Sequence, residues 1–324
     1  MQPNLEQFKK RGVAIKIEAI IGTDAAPTPL ANGVLLLNGT SGTEIDKVER
    51  DIDRPFFGGT PFVAANERSF IEGDFELYPP ATPGAAATSS ADCEVLLLPA
   101  GMTVVKTLAT KTTRYNPISG AIPAATVYWY HAGTLKKAIG ARNNLTGLSI
   151  NVGDRFKGKV RVQGDSTDVT EVALPAITVP SVVPTAAKSS NTVTNISVDG
   201  GADLQVWAKS LSVDFGNQLA TKEYTSHKEN GITGRAPTFT LRIAKTALAD
   251  FNPWTVRKNA SVFEASLRLS ESDNRYSELG IRGQIEGINE VDIDGDYGWE
   301  ISGPCVPSSA GGDELYIEFG DTTP

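Results

Sequence analysis

VYWYHAGTLKKAIGARNNLTGL, residues 127–148, set without a gap against LRLSESDNRYSELGIRGQIEGI, residues 267–288, aligns Val127 with Leu267, Trp129 with Leu269 and Ile139 with Leu279. Further along, Gly140 meets Gly280, Arg142 meets Arg282, Leu145 meets Ile285, Gly147 meets Gly287 and Leu148 meets Ile288. Only three of the paired positions are identical, but each stretch is followed by a short alternating run closed by glycine: Val160, Val162, Gly164 in one and Ile301, Gly303 in the other. The back half therefore reads as a degenerate copy of the front half. Two similar units in one chain can fill two neighbouring positions of a ring, which halves the number of chains a closed assembly needs.

The surrounding sequence has the period of a strand protein. Val13, Ile15 and Ile17 alternate with Ala14 and Lys16; Phe263, Ala265, Leu267 and Leu269 alternate with Glu264, Ser266 and Arg268; Leu315, Ile317 and Phe319 alternate with Tyr316 and Glu318. A period of two places one face on a core and leaves the other wet or against a neighbour. Helix signals are few: Ser90 and Asp92 ahead of Cys93 to Leu98, and Thr246 ahead of Ala247 to Val256, where Pro253 is expected to break or bend the helix. The expected fold class is mainly β with minor α: two tandem, similar sandwich- or barrel-like units, each with a short flanking helix. The Pro-rich span through Pro175, Pro180 and Pro184 marks the connection, giving units at 1–180 and 193–324 joined by a linker at 181–192. Pro79 to Ser90 reads as a mobile surface loop.

Composition excludes several functions. With 324 residues, 40% hydrophobic and 21% charged, the chain is an ordinary globular protein with room for two cores. A formal charge of -8 provides no basic stripe for phosphates, so sequence-reading of nucleic acid is not expected. No apolar run is long enough for a membrane span, and no apolar stretch follows Lys9, Lys10 and Arg11, so no secretory signal is expected. Cys93 and Cys305, one per half, read as small core thiols and not as a disulfide.

No residues nominate an active site, metal or cofactor. His131 and His227 stand apart and lack the spacing of zinc ligands. Asp292, Asp294 and Asp296 begin like a calcium loop, but Tyr297 occupies the obligatory glycine position, so they read as a hairpin tip. Gly39 to Gly42 reads as a turn, and the acid pairs Glu49 with Asp51 and Glu72 with Asp74 as one solvated strand face. Two segments are longer than tight turns require: Asp51 to Asn66, which carries Asp53, Arg54, Phe56 and Phe57 among Gly and Pro, and His227 to Pro237, which carries Lys228, Glu229 and Arg235. Aromatics so placed suit a docking arm on another subunit. These seven residues are the candidate contacts between subunits or rings.

The chain resembles the tail tube proteins, or major tail proteins, of long-tailed, siphovirus-type bacteriophages. Ile17, Glu18, Ala19, Gly22, Thr23, Asp24 and Pro27 look like the family's opening strand and turn; Arg50 to Phe56 looks like the entry to its long loop; Gly140, Ala141, Arg142 and Gly312 to Leu315 look like further landmarks. The resemblance implies a non-enzymatic structural virion protein without cofactors. It also implies tail-tube units assembled as homotrimeric, pseudo-hexameric rings that stack into a hollow tube and pass phage DNA without reading it. Other expected partners are the tape measure, tail terminator and tail-tip proteins, with assembly in the host cytoplasm and no membrane. The competing reading is an adhesion module of the tail tip or capsid surface.

Overall fold

The computed structural model describes residues 11–49, 58, 61–85, 90–178, 184–225, 227–271 and 273–322. The first half carries strands β1 (Arg11–Ile17), β2 (Gly33–Val34), β3 (Leu37–Glu49), β4 (Phe62–Glu76), β5 (Met102–Thr107), β6 (Thr112–Pro117), β7 (Ala125–His131), β8 (Thr134–Asn151), β9 (Lys157–Ser166) and β10 (Thr170–Glu171). Its short helices are α1 (Pro29–Asn32) and α2 (Glu94–Leu97). The second half carries β11 (Thr192–Val198), β12 (Leu204–Val206), β13 (Ala208–Asp214), β14 (Asn217–Tyr224), β15 (His227–Arg235) and β16 (Thr238–Ala244). Helix α3 (Pro253–Lys258) follows, then β17 (Phe263–Ser270), β18 (Arg275–Gly283), β19 (Gly287–Ile293), β20 (Asp296–Pro304) and β21 (Leu315–Asp321). The mainly β class with short helices is as expected.

Two sheets account for nearly all of these strands, one of twelve strands and one of seven, and β14 with β15 forms a separate ribbon. Alternation does the folding work: in β17, Phe263, Ala265, Leu267 and Leu269 are buried while the residues between them are half-buried. The buried faces of both sheets meet in one cluster that includes Trp129, Phe156 and Val162 from the first half and Phe215, Phe239, Leu241, Phe263, Trp299 and Phe319 from the second. Removing this apolar area from water is the main force holding the sandwich together.

The halves are stitched through both sheets. In the larger one, Ser210 to Val213 of β13 pair with Asn151 to Leu148 of β8, creating a continuous run β3-β4-β9-β8-β13-β16-β20-β19. In the smaller one, β21 lies between β18 of its own half and β6 of the first, with Ile317 opposite both Leu279 and Tyr115. Element order recurs along the chain. Each half has a long hairpin (β3 with β4; β13 and β14 with β15 and β16), a short helix, a hairpin in the seven-stranded sheet (β5-β6; β17-β18) and a hairpin in the twelve-stranded sheet (β8-β9; β19-β20). The gapless alignment of 127–148 with 267–288 sets β7-β8 of the twelve-stranded sheet against β17-β18 of the seven-stranded one, so that alignment does not join elements of the same sheet.

Several local expectations are corrected. Pro253 opens α3 instead of interrupting a helix begun at Ala247: it occupies the first turn, where its missing N–H costs nothing, and the Asn252 side chain caps Thr255 N. Gly39 to Gly42 is strand within β3; a Cβ at Gly39 would lie 2.8 Å from the Trp129 ring and one at Gly42 2.4 Å from Phe70, so bare backbone is needed beneath two aromatics. Pro79 and Pro80 are buried, and their carbonyls accept from the Arg275 guanidinium of β18. The stretch is thus fastened to the second half, while residues 86–89 fall outside the described residues. Likewise 227–237 is mostly strand β15, and 62–66 belongs to β4.

Candidate assembly interface

Both long hairpins continue past the stretches in which their strands are paired on both sides, and they differ in what they touch there. The second bends at Phe215 and Gly216, where Gly216 adopts φ +59 and a Cβ would lie 2.4 Å from Ala236 O. Beyond the bend, β14 and β15 lie on the first half. The Asn217 side chain donates to Ala100 O at 2.8 Å and Asn143 O at 3.0 Å, and its backbone N–H donates to the Asn144 side chain at 3.0 Å. Asn230 donates to Asp165 at 3.0 Å, and Lys228 pairs with the same carboxylate at 2.9 Å. Arg235 spans 2.6 Å to Glu314 and also donates to Ile118 O at 3.0 Å.

Glu229 faces the buried guanidinium of Arg142 at 3.4 Å. Burial pulls Arg142 down from its usual value, and Glu229 and Glu18 act against that shift. Glu18 itself is buried; it accepts from Gly22 N and Gly140 N, each at 2.7 Å, and from the Thr126 hydroxyl at 2.8 Å. Gly140 has φ +63 and sits against Gly22, so the landmark residues at 17–24 and 140–142 form one knot beneath the second arm. Asp24 closes it by accepting from Tyr128 at 2.6 Å and pairing with Lys137 at 3.0 Å.

Of the seven candidate contact residues, Lys228, Glu229 and Arg235 are brought together, and each engages the first half of its own chain or, for Arg235, also the segment before β21. Asp53, Arg54, Phe56 and Phe57 lie outside the described residues. Sequence reasoning missed Asn217, Asn230 and Asp165. The sequence carried no signal for them, since Asn217 opens β14 and Asn230 stands among polar residues of β15, so neither interrupts an apolar alternation.

The first arm is different. From Arg68 to Asp74, β4 runs between β3 and β9, but from Phe62 to Glu67 its described neighbour is β3 alone. Ile45, Val48, Phe62 and Val63 are exposed there, with Lys47 over the Phe62 ring at 4.8 Å. A two-stranded ribbon without a packed face is marginal in water, and exposed β-branched residues on it suit a partner surface.

Other chemistry is sparse. Cys93 and Cys305 are buried free thiols, and burial pushes Cys305 up to about 12, away from reactivity. No group of side chains among the described residues could hold a metal ion, and no described helix is long and apolar enough to cross a membrane. Asp292 caps Gly295 N at the β19-β20 turn, as expected of a hairpin tip. No curated protein matches the chain. Residues 9–270 match the phage tail tube protein family. The chain therefore belongs to the phage tail tube protein family and is a structural component of the virion's tail, not an enzyme.

Proposed function

We propose that this chain forms the hollow tail tube of a long-tailed phage, three copies closing into a ring of six similar units and rings stacking head to tail. The observation that carries this reading is the double seam within one chain. β8 joins β13 and β6 joins β21, so one unit already sits edge to edge with a second. A repeated unit placed beside its copy by a rotation generates a ring when that rotation closes, and a heterologous contact along the axis generates a filament. The recurrence of long hairpin, helix and two hairpins supports a duplicated chain with units at 1–180 and 193–324 joined by a linker at 181–192.

The polar face of the twelve-stranded sheet is the candidate lumen wall. Its charges are locally balanced: Arg161 pairs with Glu72 at 2.5 Å and Glu44 at 2.8 Å, and Arg242 pairs with Glu300 at 2.6 Å. Such a wall offers a polyanion no basic stripe to stick to, which suits passage of DNA without sequence-specific binding. Asp53, Arg54, Phe56 and Phe57 at the first arm are proposed for the contact with the next ring, while Lys228, Glu229 and Arg235 brace the second arm. Tape measure, tail terminator and tail-tip proteins complete the tail assembled in the host cytoplasm.

Negative-stain electron microscopy of the concentrated protein tests this. Hollow tubes built from three-fold rings that look nearly six-fold are expected. Monodisperse particles that never stack would overturn the tube and favour the adhesion module.

A further inference from the structure

The second arm docks on the first half of its own chain, and the same contact is left unmade by the first arm. Register defines the equivalence. Thr40 to Glu44 of β3 lie opposite Glu72 to Arg68 of β4, as Ser210 to Asp214 of β13 lie opposite Arg242 to Thr238 of β16. Both hairpins carry an irregularity just before these runs, between Leu37 and Thr40 and between Ala208 and Ser210. One residue beyond each run, Ile45 matches Phe215, and Lys47 matches Asn217.

The receiving strands match as well. Asp74 faces Lys159 as Ala244 faces Gly298, so Val160 corresponds to Trp299. Val160 faces Leu145, and Trp299 faces Glu290. Leu145 and Asn144 in β8 therefore correspond to Glu290 and Asn289 in β19. Within the chain, Phe215 N donates to Leu145 O at 3.0 Å and Phe215 is fully buried at 0% exposure, whereas its counterpart Ile45 is 42% exposed. The edge that would receive Ile45, β19, ends the twelve-stranded sheet and has half-buried Ile288, Val291 and Ile293 beside a backbone that no strand among the described residues pairs on that side.

We infer that the first arm of one copy lies on the second half of a neighbouring copy, with β3 running antiparallel to β19 and Ile45 and Lys47 set beside Glu290 and Asn289. This rests on the ring proposed above and assigns its seam. Two open edges on one chain, β3 at one end of the strand run and β19 at the other, invite pairing with another chain. The internal seam supplies the register. Lys47 then approaches the carboxylates of Glu290 and Asp292, and Ile45, Val48 and Val63 gain an apolar neighbour. Among the described residues, β3 pairs with β4 alone and β19 with β20 alone, so both edges remain open within one copy.

Disulfide trapping in the full chain tests the register. Ile45→Cys with Glu290→Cys, and separately Lys47→Cys with Asn289→Cys, are oxidised after assembly and run without reductant, with each single variant as control. A circular dichroism melt of the reduced protein matching the unmodified chain establishes folding. The expected result is dimers and trimers from each double variant, at least tenfold more than from the single variants, and no ladder beyond three chains. Tubes by electron microscopy without cross-linking in either pair would overturn the seam and leave the tube reading standing. Absence of rings and tubes in the unmodified protein would overturn the tube reading itself. If one pair misfolds, the other decides.

Discussion

The second arm is held by amides, ion pairs and a buried phenylalanine; the first, on a hairpin of matching register, shows isoleucine, valine and phenylalanine to water. The difference lies in when each contact forms. A contact made inside the chain forms once during folding and can rely on buried polar groups that must all be satisfied. A contact made between chains has to leave each partner soluble beforehand, so it rests on a modest apolar patch flanked by charges such as Lys47, Asp46 and Glu49.

Breaking the docked arm has the largest expected effect. Arg235→Met strands the Glu314 carboxylate, whose side chain is 5% exposed, and is expected to cost about 3–5 kcal/mol in denaturant unfolding. A loss under about 1 kcal/mol would mean that the arm is not anchored there. Arg235 lies opposite Asn217, and opposite the matching Lys47 on the other arm stands Ala64, which carries no charge to lose.

A second comparison concerns the aligned glycines. Gly140→Val and Gly280→Val are both expected to destabilise by roughly 1–3 kcal/mol, for different reasons. Gly140 needs φ +63, whereas a Cβ at Gly280 would meet the Tyr316 ring at 2.2 Å. Tyr316→Ala should therefore rescue Gly280→Val by about 1 kcal/mol in a double-mutant cycle and leave Gly140→Val unrescued. Equal rescue of both would show that one conformational cause serves both sites. The smallest effect is expected at Ile45→Ser: under about 0.5 kcal/mol in the dissociated chain, yet fewer rings at a given concentration by analytical ultracentrifugation. A large loss of intrinsic stability would place Ile45 in its own chain's core.

Much of the fold was legible because strand period is local. The alternations at Val13, Phe263 and Leu315 became β1, β17 and β21, and the run from Cys93 to Leu98 became α2, closed after one further turn by left-handed Gly101. Pro253 misled because the same ring that breaks a helix interior is well tolerated at its first turn. Glycines at 39 and 42 looked like a turn because their reason comes from other strands, Trp129 of β7 over one and Phe70 of the hairpin partner β4 over the other. The arms were legible as excess length between strands. Which of them docks at home was not, since Asn217 meets Ala100 and Asn143 across long stretches of sequence that no local pattern encodes.

The insertion of β21 between β18 and β6 sets a timetable for synthesis. The Tyr115 edge of β6 waits for residues 315–321, about two hundred positions later, before its sheet is complete. During translation the first half emerges with that edge uncovered, and a ribosome carrying it holds a unit that cannot yet present its finished surfaces. In the tube proposed above, that order would hold polymerisation back until the second half has been made, and a growing tail would draw on whole chains instead of fragments still attached to polysomes.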